Sequence, residues 1–320
     1  MLSRVADSLF WMARNCERME SNADILEVQL IKMLEASEHE ILVKHDLEAI
    51  IGICGDKEEF DSLYEEITMK NVVHYLAFSE DNFNSLSRMT KNIRENAKMT
   101  RDRIPNMLWE VWNEFYLEQE NAEAREDYSI QEIHSYIRRI KTTSMIATGI
   151  IDSTMSRDLP YHFIKIGKWL ERAEKTALVM QMMYRQSVPY GDLEGQELDW
   201  RTSLQLINGY EDFTKKFKPL MEPKFVLQFM ISDHSFPRSL CYCMEHVREV
   251  IKGLEGEKVA HYSWKMYAAI DNMISEFKDV DIKKLNTEEI GVFIDSAYSQ
   301  CLEFGKLFSE TYYLEADPVK

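Results

Sequence analysis

The sequence predicts an all-α protein, a multi-helix bundle, and three observations support this prediction. Apolar residues recur at alternating steps of three and four along the chain, as at Leu9, Met12, Cys16, Met19 and Ala23, which is the spacing of one face of an α-helix. Only 11 glycines and 7 prolines occur in 320 residues, and both residue types disfavour helix interiors. No alternating pattern typical of a β-strand extends over more than a few residues.

Helix-ending residues divide this periodic pattern into elements. The first helix is expected to continue to about residue 35, and the shorter helices that follow are broken near Gly55 and Lys70. Pro105 separates two later helices, because the residue before a proline disfavours the helical conformation. The segments for which we expect further helices are 45–54, 56–68, 70–78, 81–103, 105–120, 129–153, 161–185, 198–217, 222–231, 236–253, 257–277 and 287–313.

No long linker or low-complexity stretch interrupts the chain, so we expect a single all-helical domain over residues 1–320. The loop at 187–197 contains Pro189, Gly191 and Gly195, which are residues that favour turns. This loop is therefore the best position for a subdomain border.

Charge and cysteine content limit the classes of partner and compartment. The formal net charge is −17, so nucleic acid and anionic lipid would be repelled on average, and neither is expected as a partner. No stretch of about 18 uncharged apolar residues occurs, so no membrane span is expected. The 5 cysteines are odd in number and show no disulfide spacing, which is typical of a cytoplasmic protein with reduced thiols.

The sequence contains an internal repeat. The segments SLFWMARNCERMESNADIL and HFIKIGKWLERAEKTALVM share a Glu-Arg-x-Glu pattern and an apolar seam, and a Ser-Arg pair precedes each. We therefore predict a bundle with an internal duplication of an E-R-x-E helix, here called the ER helix. The aligned residues are Glu17, Arg18 and Glu20 in the first copy and Glu171, Arg172 and Glu174 in the second.

A shared polar pocket is the site that this repeat predicts. In both copies the second glutamate borders the seam, where it is expected to be partly buried and to need a partner. The segment 88–103 places Arg94, Lys98 and Arg101 on one helix face. Solvated surface charges remain the alternative interpretation of all these residues. The candidate pocket residues are Glu17, Arg18, Glu20, Arg94, Asn96, Arg101, Arg103, Glu110, Asn113, Ser156, Arg157, Glu171, Arg172 and Glu174.

Motifs of several enzyme classes are missing from the sequence. It contains no phosphate-binding P-loop, no G-x-G-x-x-G, no G-x-S-x-G and no H-E-x-x-H. None of the 8 histidines has a glutamate three residues earlier, which disfavours a di-iron site of the four-helix-bundle type. No cofactor or metal is predicted, although a divalent cation held by Glu20 and Glu174 stays open.

Several blocks of the chain resemble the bacterial α-E (alpha-E) family, a helical group named for its glutamates. They are LSRVADSLFWMARNCERMESNA, NIRENAKMTRDRIPNMLWEVWN, DSTMSRDLPYHFIKIGKWLERAEKTA and SFPRSL, in that order. Lys98, Pro105 and Lys168 depart from the family pattern. The resemblance implies a cytoplasmic bacterial protein that works beside a circularly permuted ATP-grasp protein and a transglutaminase-like protease.

Three functions are compatible with these residues. The favoured hypothesis is an accessory or partner protein of an ATP-grasp amide-ligase system for peptide modification, binding the ligase or a peptide substrate. An alternative is an enzyme in its own right, in which Glu20 and Glu174 act as acid and base while Arg94 and Arg101 bind a substrate carboxylate or phosphate. The third is a helical scaffold in which arginines neutralise buried glutamates.

Overall fold

The chain folds into helices throughout, in agreement with the predicted fold class. In the computed structural model, the described residues are 3–35, 40–120, 128–187, 197–217, 221–256, 259–312 and 314, and these contain no β-strand. The α-helices are α1 (Ser3–Glu35), α2 (Glu40–Cys54), α3 (Lys57–Leu63), α4 (Met69–Ala77), α5 (Leu86–Met99), α6 (Asn106–Glu120), α7 (Ile130–Thr154), α8 (Leu159–Ser187), α9 (Glu197–Leu206), α10 (Tyr210–Lys216), α11 (Pro223–Ser232), α12 (Leu240–Leu254), α13 (Trp264–Asp279) and α14 (Thr287–Tyr312).

The helices form two compact units. The N-terminal unit comprises Ser8–Ile164, and the C-terminal unit comprises Met1–Asp7 with Lys165–Lys320. In the N-terminal unit α5 packs on α6 and α6 on α7, and in the C-terminal unit α12 packs on α13 and α13 on α14. The subdomain border expected at 187–197 falls almost entirely outside the described residues, and the single domain remains a prediction.

Each unit has its own aromatic core. Fully buried aromatic side chains, which bury large apolar areas, are present in both units. In the N-terminal unit these side chains are Phe10, Phe60, Tyr75, Trp112 and Phe115, and in the C-terminal unit they are Trp200, Phe213, Phe229, Phe277, Phe304 and Phe308.

Side-chain caps set several helix starts that periodicity misplaced. The helix expected from residue 81 begins only at Leu86, because the Ser85 side chain accepts a hydrogen bond from the backbone amide of Arg88. Likewise the helix expected from residue 236 begins at Leu240, where Ser239 accepts from the amide of Tyr242. Both capping serines are fully buried. In each case the residues just before the cap form a turn instead of a helix.

A backbone break divides the helix expected at 198–217. Asn208 adopts a positive φ of 52°, a left-handed conformation that ends a helix and that asparagine tolerates better than most residues. The next residue, Gly209, has no room for a side chain, since a Cβ there would lie 2.8 Å from the Phe236 ring. These two residues separate α9 from α10.

Candidate functional site

The first ER helix is buried and is bound to the turn that precedes α5. Glu17 and Arg18 are 2% and 7% exposed. The Arg18 guanidinium donates from Nη1 to the Asn84 side-chain oxygen at 3.0 Å. One turn later, the Asn22 amide donates to the Asn84 carbonyl oxygen at 3.2 Å. The ER helix therefore positions the residue immediately before the cap of α5.

This turn is also held by its own side chains. Asn82 accepts a hydrogen bond from the Asn84 amide at 2.8 Å and donates one to the Tyr75 carbonyl at 3.1 Å. Asn82 is 1% exposed, so both bonds are shielded from water and contribute to a fixed backbone.

The second ER helix makes equivalent contacts within the C-terminal unit. Glu171 and Arg172 are 3% and 8% exposed. Arg172 donates from Nη1 to the Pro237 carbonyl at 3.5 Å, and the Thr176 hydroxyl donates to the Arg238 carbonyl at 2.8 Å. Arg238 is the residue immediately before Ser239, the cap of α12.

Asp233 stiffens the turn before α12. Its Oδ1 accepts from the backbone amides of Ser235 at 2.9 Å and Phe236 at 2.8 Å. Lys216 Nζ lies 2.6 Å from the other oxygen. Burial alone would raise the pKa of Asp233, but the hydrogen bonds from Lys216 and Ser235 outweigh it and hold the pKa below its usual value. The turn is thus fastened to α10 and to α8.

One contact of each ER helix falls at the same offset in the two units, while the arginine contacts differ, since Arg18 bonds the Asn84 side chain and Arg172 the Pro237 carbonyl. The offset that aligns Glu17 with Glu171 also aligns Asn22 with Thr176 and Asn84 with Arg238. Thus the side chain five residues after the first glutamate of each ER motif donates to the carbonyl of the residue that precedes the serine cap.

A further pair of contacts falls at the same offset. Lys141 Nζ on α7 lies 2.6 Å from Glu27 and 2.8 Å from Asp24, both on α1. At the aligned positions of the C-terminal unit, Gln181 on α8 donates to Asp295 on α14 at 2.5 Å. Burial alone would lower the pKa of Lys141, but its hydrogen bonds to the two carboxylates leave the pKa raised. Lys141 was not among the predicted site residues, because no sequence pattern distinguished it from other lysines.

The predicted basic residues form a surface on α5 and α6 instead of pairing with the ER glutamates. Arg94 donates from Nε to Asn113 at 3.0 Å, as the predicted grouping of these two residues requires, and its ion-pair partner is the neighbouring Glu95 at 2.6 Å. Its guanidinium also lies 4.6 Å from the Tyr116 ring centroid. The ion pairs expected between Arg94 and the ER glutamates are therefore replaced by contacts within this surface.

Trp109 is the centre of the same surface. Arg94 and Arg101 lie over its ring at 5.7 Å and 5.4 Å. Met99 and Met107, at the ends of α5 and α6, are 55% and 56% exposed. We call this set of cations, aromatic rings and methionines the α5–α6 surface.

The other predicted pocket residues occupy different surroundings. Asn96 is half-buried, Glu110 and Ser156 are exposed, and exposed Arg103 pairs with its neighbour Asp102 at 3.0 Å. Arg157 donates to the carbonyls of Met155 and Asp152 at 2.9 Å and 2.7 Å, so it closes the turn between α7 and α8.

The two halves of the predicted pocket fall in different units. Glu17, Arg18, Glu20 and Arg94 belong to the N-terminal unit, whereas Glu174 belongs to the C-terminal unit. Glu20 is half-buried and Glu174 is 6% exposed. A pocket shared by Glu20 and Glu174, and a cation held there, remain predictions.

One cavity lies within the N-terminal unit between α6 and α7. Its volume is about 680 Å³, and Phe78, Phe115, Gln119, Tyr136 and Arg139 are among its lining residues. Gln119 is 6% exposed; its side-chain oxygen accepts from the Tyr136 hydroxyl at 3.3 Å, while its Nε2 has no acceptor among the described residues. None of the predicted pocket residues lines this cavity.

Fold and site together define an all-helical protein in which the adjacent glutamate and arginine of each ER motif are buried on a long helix. The chain belongs to the Alpha-E family, described as a predicted alpha-helical domain with a conserved ER motif, whose model matches residues 1–313. No curated protein and no solved structure shows detectable similarity to it. Within the described part of the chain, no helix is both long and apolar enough to cross a membrane.

Proposed function

We propose that this Alpha-E protein is a partner of an ATP-grasp amide ligase and that it docks on the ligase through the α5–α6 surface. The family resemblance implies the partner class, together with a transglutaminase-like protease in the same peptide-modification system. The observation that carries the proposal is the placement of Arg94 and Arg101 over Trp109, at 5.7 Å and 5.4 Å. Tryptophan and arginine are the residues most often found at the centres of protein interfaces.

Charge complementarity supports an acidic docking partner. In a chain of net charge −17, the segment 86–103 carries an excess of cations over its two acidic residues, Glu95 and Asp102. Such a local field favours a partner surface rich in carboxylates and speeds encounter at low salt. The cations of this segment are Arg88, Lys91, Arg94, Lys98, Arg101 and Arg103.

In this proposal the ER helices are structural anchors. Glu17, Glu171 and Glu174 are at most 6% exposed, so their carboxylates do not face a macromolecular partner. Each ER helix instead positions the turn before a capped helix. This arrangement supports the enzyme alternative less than the partner function.

We also infer that the internal duplication extends beyond the ER helix to seven helices in each half of the chain. The offset that aligns Glu17 with Glu171 aligns the first residues of α4 and α11, Met69 and Pro223, and those of α5 and α12, Leu86 and Leu240. The matched contacts of the two ER helices support the same inference. The anchoring role then belongs to both copies.

Direct titration of the purified chain against the circularly permuted ATP-grasp ligase tests the partner function. We expect saturable binding at about micromolar concentrations, weakened about tenfold or more by Arg101→Glu and by Trp109→Ala. The controls are Lys265→Glu and Trp264→Ala, which change an exposed cation and an exposed tryptophan that lie 6.0 Å apart in the C-terminal unit. Absence of binding by the wild-type chain, or equal weakening by the control pair, would contradict the proposal.

A further inference from the structure

Three potential metal ligands of different chemistry meet at the N-terminal end of α12. Cys241 and Glu245 are four residues apart on one helix face. His234 lies in the turn that leads into this helix. Among the residues that the structure describes, they form the group of histidine, cysteine and carboxylate side chains whose ligand atoms all lie within 4.8 Å of one another.

Two of the three distances between these atoms match a tetrahedral zinc site. The Cys241 Sγ lies 3.6 Å from the His234 Nδ1, and this nitrogen lies 3.5 Å from the Glu245 Oε2. Zinc bonds of about 2.0 Å to nitrogen and about 2.3 Å to sulfur place tetrahedral ligand atoms about 3.5 Å apart. The sulfur and the carboxylate oxygen lie within 4.8 Å of each other, so one zinc ion can approach all three atoms.

A single tautomer of His234 can make a full hydrogen bond to only one of its two neighbours. If the His234 Nδ1 carries a proton, it can donate to Glu245 but cannot accept from the Cys241 thiol. If it carries none, it can accept from the thiol, but its lone pair then faces the carboxylate oxygen. A cation bound to the sulfur, the nitrogen and the oxygen removes this conflict.

The surrounding residues hold the three ligands in place. Lys278 Nζ lies 2.6 Å from the other Glu245 oxygen, Oε1, and so fixes the orientation of the carboxylate. The turn that carries His234 is held by Asp233 and by the hydrogen bond from Thr176 to the Arg238 carbonyl at 2.8 Å. Partners that orient ligands in this way are typical of metal sites in proteins.

The N-terminal unit shows that the turn itself does not require these residues. At the offset that matches the two ER helices, the positions of His234, Cys241 and Glu245 are occupied by Glu80, Ser87 and Lys91. The turn before α5 has the same serine cap and the same anchoring contact from the ER helix. The three ligands are therefore an addition to the C-terminal unit.

We propose that His234, Cys241 and Glu245 form a zinc-binding site. Thiolate, imidazole and carboxylate together suit Zn²⁺ better than Mg²⁺ or Ca²⁺, which prefer oxygen ligands. Three protein ligands leave the fourth tetrahedral position for water or for an oxygen of a bound molecule. The site is independent of the α5–α6 surface and of the proposed partner.

Zinc binding to the metal-free full chain tests this site. Affinity is measured by competition with a chromophoric chelator, and Co²⁺ serves as a spectroscopic probe, because a thiolate ligand produces a charge-transfer band. We expect one zinc per chain. We expect a loss of more than about 100-fold in affinity for Cys241→Ser and for His234→Asn, which exceeds the effect of changing an outer partner. His234 is exposed, so His234→Asn reports binding in a folded chain.

The controls are Cys243→Ser, a second buried cysteine on α12, and His261→Asn, a second exposed histidine of the same unit. Both are expected to bind zinc as tightly as the wild type and to keep the Co²⁺ charge-transfer band. The proposal fails if the wild-type chain binds no zinc at micromolar concentrations. It also fails if His234→Asn binds as tightly as the wild type, or if the band is lost in Cys243→Ser and kept in Cys241→Ser.

Discussion

Thr176 on α8 donates its hydroxyl hydrogen to the carbonyl oxygen of Arg238, 2.8 Å away, at the backbone position that precedes the cap of α12. Thr176 is 1% exposed, so water does not replace this bond when it is lost. Asn22 makes the matching contact with Asn84 in the N-terminal unit. Two side chains of different type thus perform the same anchoring at the same position of the ER helix.

Replacing Thr176 with valine tests this anchor. Valine keeps the shape of threonine but leaves the buried Arg238 carbonyl without its donor, so we expect the free energy of unfolding to fall by about 1–3 kcal/mol. The measurement is chemical denaturation followed by circular dichroism. Thr214→Val is the control, because Thr214 is only half-buried and its hydroxyl bonds the Glu211 carbonyl of its own helix at a solvent-exposed position. An equal loss in both variants would argue against a special role for Thr176.

The cap of α5 offers a second test. Ser85→Ala removes the acceptor for the Arg88 amide, and a lost serine cap costs about 0.5–2 kcal/mol. Ser85→Gly should recover most of that stability, because glycine is a better cap than alanine. The measurement is the denaturant midpoint of unfolding of the two variants, compared with that of the wild type. Equal midpoints for alanine and glycine would mean that capping does not set the start of this helix.

The ion pairs of Lys141 should stabilise the fold more than a surface pair does. Lys141→Met leaves Asp24, which is 2% exposed, without the ammonium group that lies 2.8 Å from it. We expect a loss of about 2–3 kcal/mol in the free energy of unfolding, somewhat below the value for a fully buried pair. Arg139→Gln on the same helix breaks an exposed pair with Glu118 and should cost below about 1 kcal/mol. Similar losses in both variants would mean that the ion pairs of Lys141 stabilise the fold no more than a surface pair does.

The contribution of Lys141 should depend on pH. Its pKa in the folded chain is raised above the ordinary value of 10.5, so the folded state holds its proton more tightly than the unfolded state does. The stabilisation is therefore complete below the unfolded pKa and is lost as pH rises through the folded pKa. The difference in stability between wild type and Lys141→Met should stay constant up to about pH 10 and shrink above it. A stability difference between wild type and Lys141→Met that grows above about pH 10 would contradict this prediction.

Periodicity was sufficient to predict the fold class and most long helices. The spacing of apolar residues predicted the end of α1 near residue 35, and Pro105 marked the break between α5 and α6. Short-range polar bonds set the boundaries that were wrong. Ser85 and Ser239 each end a turn in which backbone amides bond to side chains, and hydrophobic spacing does not report such bonds.

The shared pocket stays a prediction, so only individual residues of the candidate site can be compared with the structure. The ER motif identified the buried helices, and the grouping of Arg94 with Asn113 is present in the structure. The sequence could not indicate that Trp109 attracts the arginines, because many partners were compatible with them. His234, Cys241 and Glu245 do not follow the Glu-x-x-His spacing, so that motif does not identify them. A cysteine and a glutamate four residues apart, with a histidine seven residues earlier, was the available signal.

The central claim is that the ER glutamates support the fold and that the α5–α6 surface carries recognition. The most direct test is the free energy of unfolding of Glu171→Gln, measured by chemical denaturation beside that of Arg101→Glu. Because Glu171 is 3% exposed, its replacement should lower the free energy by about 3 kcal/mol, while Arg101→Glu should change it by less than about 0.5 kcal/mol. An unchanged unfolding midpoint for Glu171→Gln would contradict the claim, because its buried carboxylate would then not be needed for stability.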